Sequence, residues 1–310
     1  MKEYLIGTGG WAYFQVPKLN PLVAYSRAFN FVEVNSTFYQ MPSPDEVRRW
    51  RKLVPSDFQF AVRANRRMLQ ARNLQSSPDT LAAFDKMKQI CSLLKADVLH
   101  LQIPASLNVT QTWIGQFRDF VSSADLGKLR LAVEIRGVQP SKLPAELLKL
   151  MQGRNMIHCV DVSKGEMPAY ASDILYSRLF GKGQHNVYQP TDEELAEMDS
   201  KVSNSGSQKI VMSFHFVRMY KDAARLKIYT QTGRFPKVTG STGRSSLEEV
   251  LSEDVELPST KQELMRSQGW KLFDLNGEKR VHASDFLQKL PEKTYVSIGE
   301  IMENLKPTFK

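Results

Sequence analysis

Short apolar runs recur along this chain, and most of them end in a polar residue. The clearest is Phe31–Asn35, in which Val32 and Val34 alternate with Glu33 and Asn35. Such alternation predicts a β-strand with one apolar face and one mixed face. The same reasoning predicts eight strands, at Tyr4–Gly7, Phe31–Asn35, Phe58–Arg63, Val98–Ile103, Arg130–Arg136, Ile157–Asp161, Ile174–Phe180 and Lys209–His215.

Helical patterns lie between these strands, where apolar residues are spaced three and four apart. They predict helices at Pro21–Phe29, Pro44–Lys52, Thr80–Leu94, Thr112–Ser122, Ala145–Met151, Asp192–Val202 and Met219–Tyr229. Only the link between the sixth and seventh strands lacks such a pattern. Because strands and helices alternate eight times, we predict an α/β fold of the (β/α)8 TIM-barrel type. An open doubly wound sheet is the alternative, but Gly7–Trp11 does not match the glycine-rich phosphate loop that it requires. That segment is interpreted instead as a flexible first loop.

The last part of the chain predicts a separate small unit. Residues 233–246 contain three glycines and no acidic side chain, which predicts a linker. Capping-box patterns at Thr260–Glu263 and Ser297–Glu300 predict helix starts, and Asn276-Gly277 predicts a two-residue hairpin turn. The expected domains are therefore a barrel over 1–232, a linker over 233–246 and a small α+β appendage over 247–310. A winged-helix-like reader of DNA and a structural cap are both open interpretations of the appendage.

Net charge favours an acidic partner. The chain of 310 residues has a formal net charge of +9, yet residues 235–310 carry 11 Lys/Arg and 12 Asp/Glu. The excess positive charge therefore lies in the predicted barrel, which is typical of proteins that bind DNA or RNA. No apolar stretch is long enough to span a membrane, and the first residues lack a signal-peptide pattern. We therefore expect a cytoplasmic protein with no membrane partner, with Cys91 and Cys159 as reduced, buried thiols.

Strand parity indicates which side chains converge. Because side chains alternate along a strand, the mixed faces should point into the barrel, with their polar groups at the C-terminal strand ends where barrel active sites form. The predicted catalytic residues are Glu33, Glu134 and Asp161. The predicted substrate-binding residues are Trp11, Asn35, Tyr39, Arg63, Gln102, Arg136, Arg178 and His215. A buried structural network, in which the carboxylates only neutralise the arginines, is the competing interpretation for any single residue.

The composition of this site favours an anionic substrate. Guanidinium groups match phosphate or carboxylate oxygens, and carboxylates suit acid–base work or the stabilisation of positive charge. No H-x-H or H-E-x-x-H spacing predicts a resident metal, although Glu33, Glu134, Asp161, His100 and His215 could supply ligands. The cofactor is unknown, and Mg²⁺ or Mn²⁺ bound together with substrate is the option left open.

Several of these segments resemble the domain of unknown function 72 (YecE-like) family. The resemblance is carried by Ile6–Trp11, by the Glu-x-Asn-x-Thr-Phe-Tyr run of 33–39, and by Phe58–Arg63, Leu101–Pro104 and Ala132–Arg136. It covers roughly residues 4–230 and implies a TIM barrel with a pocket of unassigned chemistry. The chain has Arg63 where the family usually has lysine, and Ser213–Phe216 where a Phe-Asn-Asn pattern is usual.

Three hypotheses for function follow from these observations. The leading one is a hydrolase that cleaves a phosphodiester or N-glycosidic bond in nucleic acid, as in DNA repair, with Glu33 or Glu134 as general base or as a stabilising carboxylate. The second is an enzyme that acts on a small phosphorylated or carboxylated sugar. The third is a nucleic-acid-binding module without catalytic activity.

Overall fold

A computed structural model of the chain describes residues 2–70 and 74–309. Its main sheet has eight parallel strands in the order β6-β5-β4-β3-β2-β1-β8-β7. These strands are β1 (Glu3–Thr8), β2 (Phe31–Val34), β3 (Gln59–Arg63), β4 (Val98–Ile103), β5 (Arg130–Ile135), β6 (Ile157–Cys159), β7 (Ile174–Leu179) and β8 (Lys209–Phe214). A bridge between Val160 and Ser177 joins the two ends of the sheet and closes it into a barrel. The predicted TIM-barrel fold is confirmed.

The helices follow the predicted pattern closely. They are α1 (Pro21–Ala28), α2 (Pro44–Leu53), α3 (Arg66–Gln70), α4 (Pro78–Leu94), α5 (Gln111–Ser123), α6 (Ala145–Gly153), α7 (Asp192–Ser203) and α8 (Met219–Thr232). Three of them begin with a side-chain cap followed by proline, since Asn20, Ser43 and Ser77 accept backbone hydrogen bonds at their helix starts. The link between β6 and β7 carries only a 3-10 turn at Val162–Lys164, as the pattern indicated. The short helix α3 is an addition that the sequence did not predict.

Strand parity is confirmed inside the barrel. The apolar side chains that fill its interior come from alternate positions of the strands, namely Leu5, Phe31, Ala61, Val98, Ala132, Ile157, Cys159, Tyr176 and Val211. The opposite faces, such as Val32 and Val34, are also fully buried. These apolar side chains fill the barrel from the N-terminal ends of the strands to their middle. The polar residues of the same strand faces therefore lie at the C-terminal ends.

The chain packs into two compact units. The first comprises Met1–Phe180 and Ser200–His215, and so contains all eight barrel strands. The second comprises Gly181–Asp199 and Phe216–Lys310, so α8 groups with the C-terminal residues. The division into a barrel over 1–232, a linker over 233–246 and an appendage over 247–310 remains a prediction. The segment 233–246 holds ordered contacts, because the backbone amides of Val238 and Thr239 both donate to Asp274.

The second unit has its own small apolar core around Leu264, Phe273, Phe286 and Tyr295. Its further elements are α9 (Arg244–Ser252), β9 (Ser259–Thr260), α10 (Lys261–Gln268), β10 (Leu272–Asp274), β11 (Arg280–His282), α11 (Ser284–Leu287), β12 (Thr294–Tyr295) and α12 (Ile298–Leu305). Within the described residues, no helix in either unit has the length and hydropathy needed to cross a membrane.

The local predictions for this unit are mostly confirmed. Thr260 forms the full capping box of α10, and Ser297 caps α12. The hairpin of β10 and β11 forms, but the predicted two-residue turn at Asn276-Gly277 is wrong. The amide of Leu275 donates to the carbonyl of Lys279 at 2.8 Å, so the loop contains three residues. The Asn276 side chain accepts from the backbone amides of Glu278 and Lys279, and this asparagine turn replaces the predicted one.

Candidate functional site

The loop after β2 is fixed to the end of β3 by hydrogen bonds. Thr37 Oγ1 lies 2.7 Å from the carbonyl oxygen of Val34 and 2.6 Å from that of Arg63. The Asn65 side chain donates in turn to the carbonyl of Thr37 at 2.8 Å. This bracing places the Phe38 ring 3.7 Å from the guanidinium carbon of Arg63. The Glu-x-Asn-x-Thr-Phe-Tyr run is therefore one structural device that builds one wall of the site.

A buried ionic network forms the lower part of the barrel mouth, and we call it the inner layer. It consists of Glu33, His100, Glu134, Tyr176 and Arg178. Arg178 Nε donates to both oxygens of Glu33, at 3.1 and 3.0 Å, and its Nη1 donates to Glu134 at 2.6 Å. Tyr176 donates to Glu33 at 2.8 Å, and His100 Nε2 lies 2.9 Å from Glu134. One arginine is thus held between two carboxylates.

Both carboxylates of the inner layer are held ionised. Burial opposes ionisation, but the Arg178 guanidinium outweighs it and lowers the pKa of Glu33 to about 2. Burial is outweighed in the same way at Glu134, where Arg178 and His100 bring the pKa well below its usual range. Burial also lowers the pKa of His100, with Arg178 acting in the same direction, so this imidazole is neutral at pH 7. Neither glutamate can therefore act as a general acid near neutral pH, and both are weak bases.

A second group of residues lies above this network, and we call it the outer layer. It consists of Asn35, Phe38, Arg63, Gln102, Arg136 and Phe180. Arg63 Nη1 donates to the Asn35 amide oxygen at 2.6 Å and Nη2 to that of Gln102 at 2.8 Å. Arg136 Nε donates to Glu134 at 2.7 Å, and its side chain is 39% exposed. The outer layer therefore presents the positive charge of Arg136 at the surface, with the buried guanidinium of Arg63 beneath it.

The two layers are joined by further contacts besides the bond from Arg136 to Glu134. The Gln102 amide oxygen, which accepts from Arg63, also accepts from Arg178 Nη1 at 3.1 Å. The Phe180 ring lies 4.7 Å from the guanidinium carbon of Arg136 and 5.0 Å from that of Arg178. His215 stacks on Phe180 with the ring centroids 4.6 Å apart, and its Nε2 lies 3.5 Å from Glu33. A displacement of side chains in one layer should therefore displace side chains in the other.

His215 is positioned by the first turn of the barrel. A Cβ atom on Gly9 would lie 2.2 Å from the His215 ring, so only glycine fits there. Gly9 also donates to the carbonyl of Phe214 at 3.1 Å, and β1 itself runs to Thr8. The predicted loop therefore starts later than expected and is anchored at Gly9. Burial, together with the charge of Arg178, lowers the pKa of His215 to about 3, so its imidazole is neutral at pH 7.

The structure brings most of the predicted site residues together. Glu33, Glu134, Asn35, Arg63, Gln102, Arg136, Arg178 and His215 are all connected by the contacts above. Trp11 and Tyr39 contact other aromatic rings rather than the polar groups of this cluster. The Trp11 and Trp50 rings pack edge to face with their centroids 5.2 Å apart. The Tyr39 and Phe38 rings do the same with their centroids 5.1 Å apart, and Tyr39 remains 62% exposed. Tyr39 is therefore available for stacking next to the outer layer.

Asp161 is bonded to its own loop. Its carboxylate accepts from the amide and hydroxyl of Ser163 and from the amide of Phe180 at 3.0 Å. Lys164 lies 3.7 Å from the same carboxylate, and burial raises the pKa of Asp161 to about 6. These contacts give Asp161 the role of a loop cap, while its predicted catalytic role stays a prediction.

Sequence reasoning did not assign roles to several residues of the site. Tyr176, Phe180 and Ser213 lie on the predicted interior faces, so strand parity could have found them. Ser213 Oγ lies 3.1 Å from His215 Nε2. Thr37 and Asn65 carry no such signal, because they act through backbone carbonyls in loops.

A group of possible metal ligands also occurs in this region. A nitrogen of His100, a carboxylate oxygen of Glu134 and the Cys159 sulfur lie within 4.8 Å of one another. Arg178 already occupies Glu134, and burial raises the pKa of Cys159 well above its usual range, so the thiol is neutral. A neutral thiol and an arginine-bound carboxylate are poor ligands for a cation. We assign no resident metal to this group.

Comparison with known proteins places the barrel in a family. The family model described as "Protein of unknown function DUF72" matches residues 5–232. The chain belongs to the DUF72 family. The resemblance inferred from the motifs is confirmed, and the match ends with the last residue of α8, so it leaves out residues 233–310.

Among curated relatives of this DUF72 chain, the UPF0759 protein YecE of Escherichia coli (strain K12) is 28% identical over 137 residues, which are 43% of this chain and 48% of YecE. The chain thus spans about half the length of the curated relatives it matches. Among solved structures, a DUF72 family protein from Thermotoga maritima MSB8 has a TM-score of 0.58 at 17% identity, covering 74% of this chain and 99% of that one.

Two further structures show the same fold. A DUF72 family protein from Enterococcus faecalis V583 has a TM-score of 0.55 at 17% identity, covering 75% of this chain and 98% of that one. An AP endonuclease, family 2, from Brucella melitensis has a TM-score of 0.50 at 14% identity, covering 75% of this chain and 99% of that one. At such low identity these likenesses establish the TIM-barrel fold and no reaction.

Proposed function

We propose that the barrel mouth binds the phosphate backbone of a nucleic acid and that the protein acts on it as a hydrolase. The observation that carries the proposal is the outer layer, where two guanidinium groups lie among aromatic rings at the C-terminal end of a barrel. Arginine for the phosphate and aromatic faces for unstacked bases are the groups that single-stranded nucleic acid requires. The net charge of +9 supports the same class of ligand.

The charges of the site favour chemistry with a negatively charged transition state. Arg63 and Arg136 can hold a phosphate and stabilise the charge that develops during phosphodiester cleavage. Glu134 is ionised and 12% exposed, so it can orient a water molecule by accepting its hydrogen bond. Since it is a weak base, Mg²⁺ or Mn²⁺ brought with the substrate is the expected source of a stronger nucleophile. N-glycosidic cleavage, which develops positive charge on the sugar, is less suited to an arginine-rich site.

The binding step is tested with labelled single-stranded and duplex DNA and RNA by fluorescence anisotropy at two salt concentrations. Arg136→Gln should weaken binding about fivefold, because it removes one phosphate contact. Arg27→Gln is the matched control, since Arg27 is exposed in the last turn of α1, at the opposite end of the barrel. Equal affinity of both variants and the unchanged protein would contradict the assignment of the mouth.

The hydrolytic step is tested by incubating damaged and undamaged DNA and RNA with the protein, with and without Mg²⁺ or Mn²⁺. We expect strand scission that Glu134→Gln reduces by at least tenfold. Binding that Glu134→Gln leaves intact, with no scission or base release in any condition, would support a binding module instead. The absence of both binding and cleavage would overturn the proposal.

A small phosphorylated or carboxylated sugar is the second candidate ligand. Arg63 and Gln102 are only 7% and 9% exposed, so a compact anionic group reaches them more easily than a stacked strand does. Stabilisation of the protein by sugar phosphates or sugar acids, without any affinity for oligonucleotides, would favour this candidate.

A further inference from the structure

Arg63 is a buried cation without a carboxylate partner in contact. Its two η nitrogens donate to the neutral amides of Asn35 and Gln102, and its flat face lies against Phe38. Its Nε atom is buried and has no hydrogen-bond partner among the described residues. A guanidinium that is only 7% exposed is costly to keep charged unless an anion completes its surroundings.

The charged residues of the two layers leave one positive charge without a matching negative one. Glu33 and Glu134 oppose Arg178, Arg136 and Arg63, while His100 and His215 are neutral at pH 7. Asp161 and Glu166 lie with Lys164 in the loop after β6, and Asp161 is bonded to Ser163 and Phe180, not to Arg63 or its amide partners. Arg178 contacts both carboxylates and Arg136 contacts Glu134, so the surplus charge is located at Arg63.

We propose that the Arg63 site, formed by Arg63, Asn35, Gln102 and Phe38, accepts one singly charged oxyanion. This inference rests on the proposed function: the anion is an internal phosphodiester of a nucleic-acid strand and not its terminal phosphate. A diester carries one negative charge and balances the site. A terminal phosphate carries roughly 1.5 to 2 negative charges at pH 7 and would add repulsion toward Glu33 and Glu134.

The two amides have a clear role in this scheme. Asn35 and Gln102 orient the guanidinium as carboxylates would, yet they leave its charge available to a ligand. An aspartate at position 35 would pair with Arg63 in the same geometry and cancel that charge. Asn35→Asp is therefore a substitution of nearly constant shape that separates the geometry of the site from its charge.

The first experiment compares dimethyl phosphate with methyl phosphate on the full chain, by thermal shift at pH 8 and matched ionic strength. We expect dimethyl phosphate to bind at least about fivefold more tightly, which corresponds to one weak charge–charge interaction. Methyl phosphate that binds equally well or better would overturn the inference. Stabilisation by acetate but not by dimethyl phosphate would overturn the assignment of a phosphodiester.

The second experiment uses Asn35→Asp, with Asn30→Asp as the matched control. Asn30 is exposed next to the start of β2, so it introduces the same charge at the other end of the barrel. Asn35→Asp should lose at least tenfold in affinity for dimethyl phosphate while its melting temperature stays equal or rises, and Asn30→Asp should change affinity less than twofold. An Asn35→Asp protein that binds as well as the unchanged one would overturn the inference. Dimethyl phosphate binding without any activity on nucleic acid would contradict only the proposed function.

Discussion

The inner and outer layers of the barrel mouth both contain arginine, but they surround it with different partners. In the inner layer Arg178 lies between Glu33 and Glu134 and is 1% exposed, so its charge is balanced within the protein. In the outer layer Arg63 has only amide and aromatic partners, and Arg136 is partly exposed. A network whose charges balance within the protein stabilises and positions its members, whereas a network with an uncompensated positive charge is suited to binding an anion. Whether an arginine in this site stabilises the protein or binds a ligand is therefore indicated by the side chains it contacts, and not by its presence alone.

The strongest test of this difference is removal of the inner arginine. Arg178→Met should lower the free energy of unfolding by about 3–5 kcal/mol, because it leaves two buried carboxylates without their partner. Urea unfolding followed by circular dichroism measures the change. If the variant does not fold, Glu33→Gln gives a milder version of the same loss.

Arg118→Gln is the control for this experiment. Arg118 is 47% exposed and paired with Glu146 at the surface, so its loss should change stability by less than about 0.5 kcal/mol. If Arg178→Met were as mild as Arg118→Gln, the inner layer would not be a stabilising network.

The next test uses pH. The folded-state pKa values of Glu33 and His215 are lowered to about 2 and about 3, from ordinary values of 4.5 and 6.5. A lowered pKa gives stability that is fully present above the ordinary value and is lost as the pH falls through the folded one. We therefore expect stability to decline from about pH 6.5 downwards as His215 resists protonation, and more steeply below pH 4.5 as Glu33 joins it.

His215→Asn isolates the histidine contribution. Its unfolding free energy, measured at pH 7, 5.5 and 4.5, should fall less with acidification than that of the unchanged protein. His185→Asn changes an exposed histidine and should leave the pH profile unaltered. Identical profiles for His215→Asn and the unchanged protein would show that His215 is not held neutral by the inner layer.

A smaller effect is expected from the bracing of the outer layer. Thr37→Val keeps the shape of the side chain but removes the hydroxyl that lies against the carbonyls of Val34 and Arg63. The hydroxyl has one hydrogen to donate, so its loss leaves one buried carbonyl without its donor, which should cost about 1–3 kcal/mol of unfolding free energy. Thr112→Val, at an exposed position of α5, is the matched control. A negligible cost at Thr37 would mean that the Phe38 loop is not held by this bond.

The smallest effect on stability is expected at Tyr39. Tyr39→Ala should change the unfolding free energy by less than about 0.5 kcal/mol, because the ring is 62% exposed. Loss of one stacked base should still weaken single-stranded oligonucleotide binding by about 1–3 kcal/mol. Leu53→Ala, at an exposed position near the other end of the barrel, should change neither quantity. Unchanged oligonucleotide affinity would remove Tyr39 from the binding surface.

Much of the fold and part of the site were predictable from local pattern. The alternation in Phe31–Asn35 correctly turned Glu33 inwards, and the spacing of apolar residues correctly predicted most of the barrel helices. The missed features depend on side-chain hydrogen bonds to backbone groups, which neither side-chain alternation nor helix spacing predicts. Thr37 is important because it meets the end of β3, and Asn276 forms its own turn because its side chain can accept two amides.

The sequence by itself determined the barrel and the inward face of each strand, because side-chain alternation and helix spacing are properties of consecutive residues. Only the tertiary structure decided which charges meet. Strand register and side-chain reach across the barrel placed Arg178 between two glutamates and Arg63 between two amides, and turned Asp161 into a loop cap. Charge balance in the mouth is therefore a property of the closed barrel, because each of these pairs joins residues that are far apart along the chain.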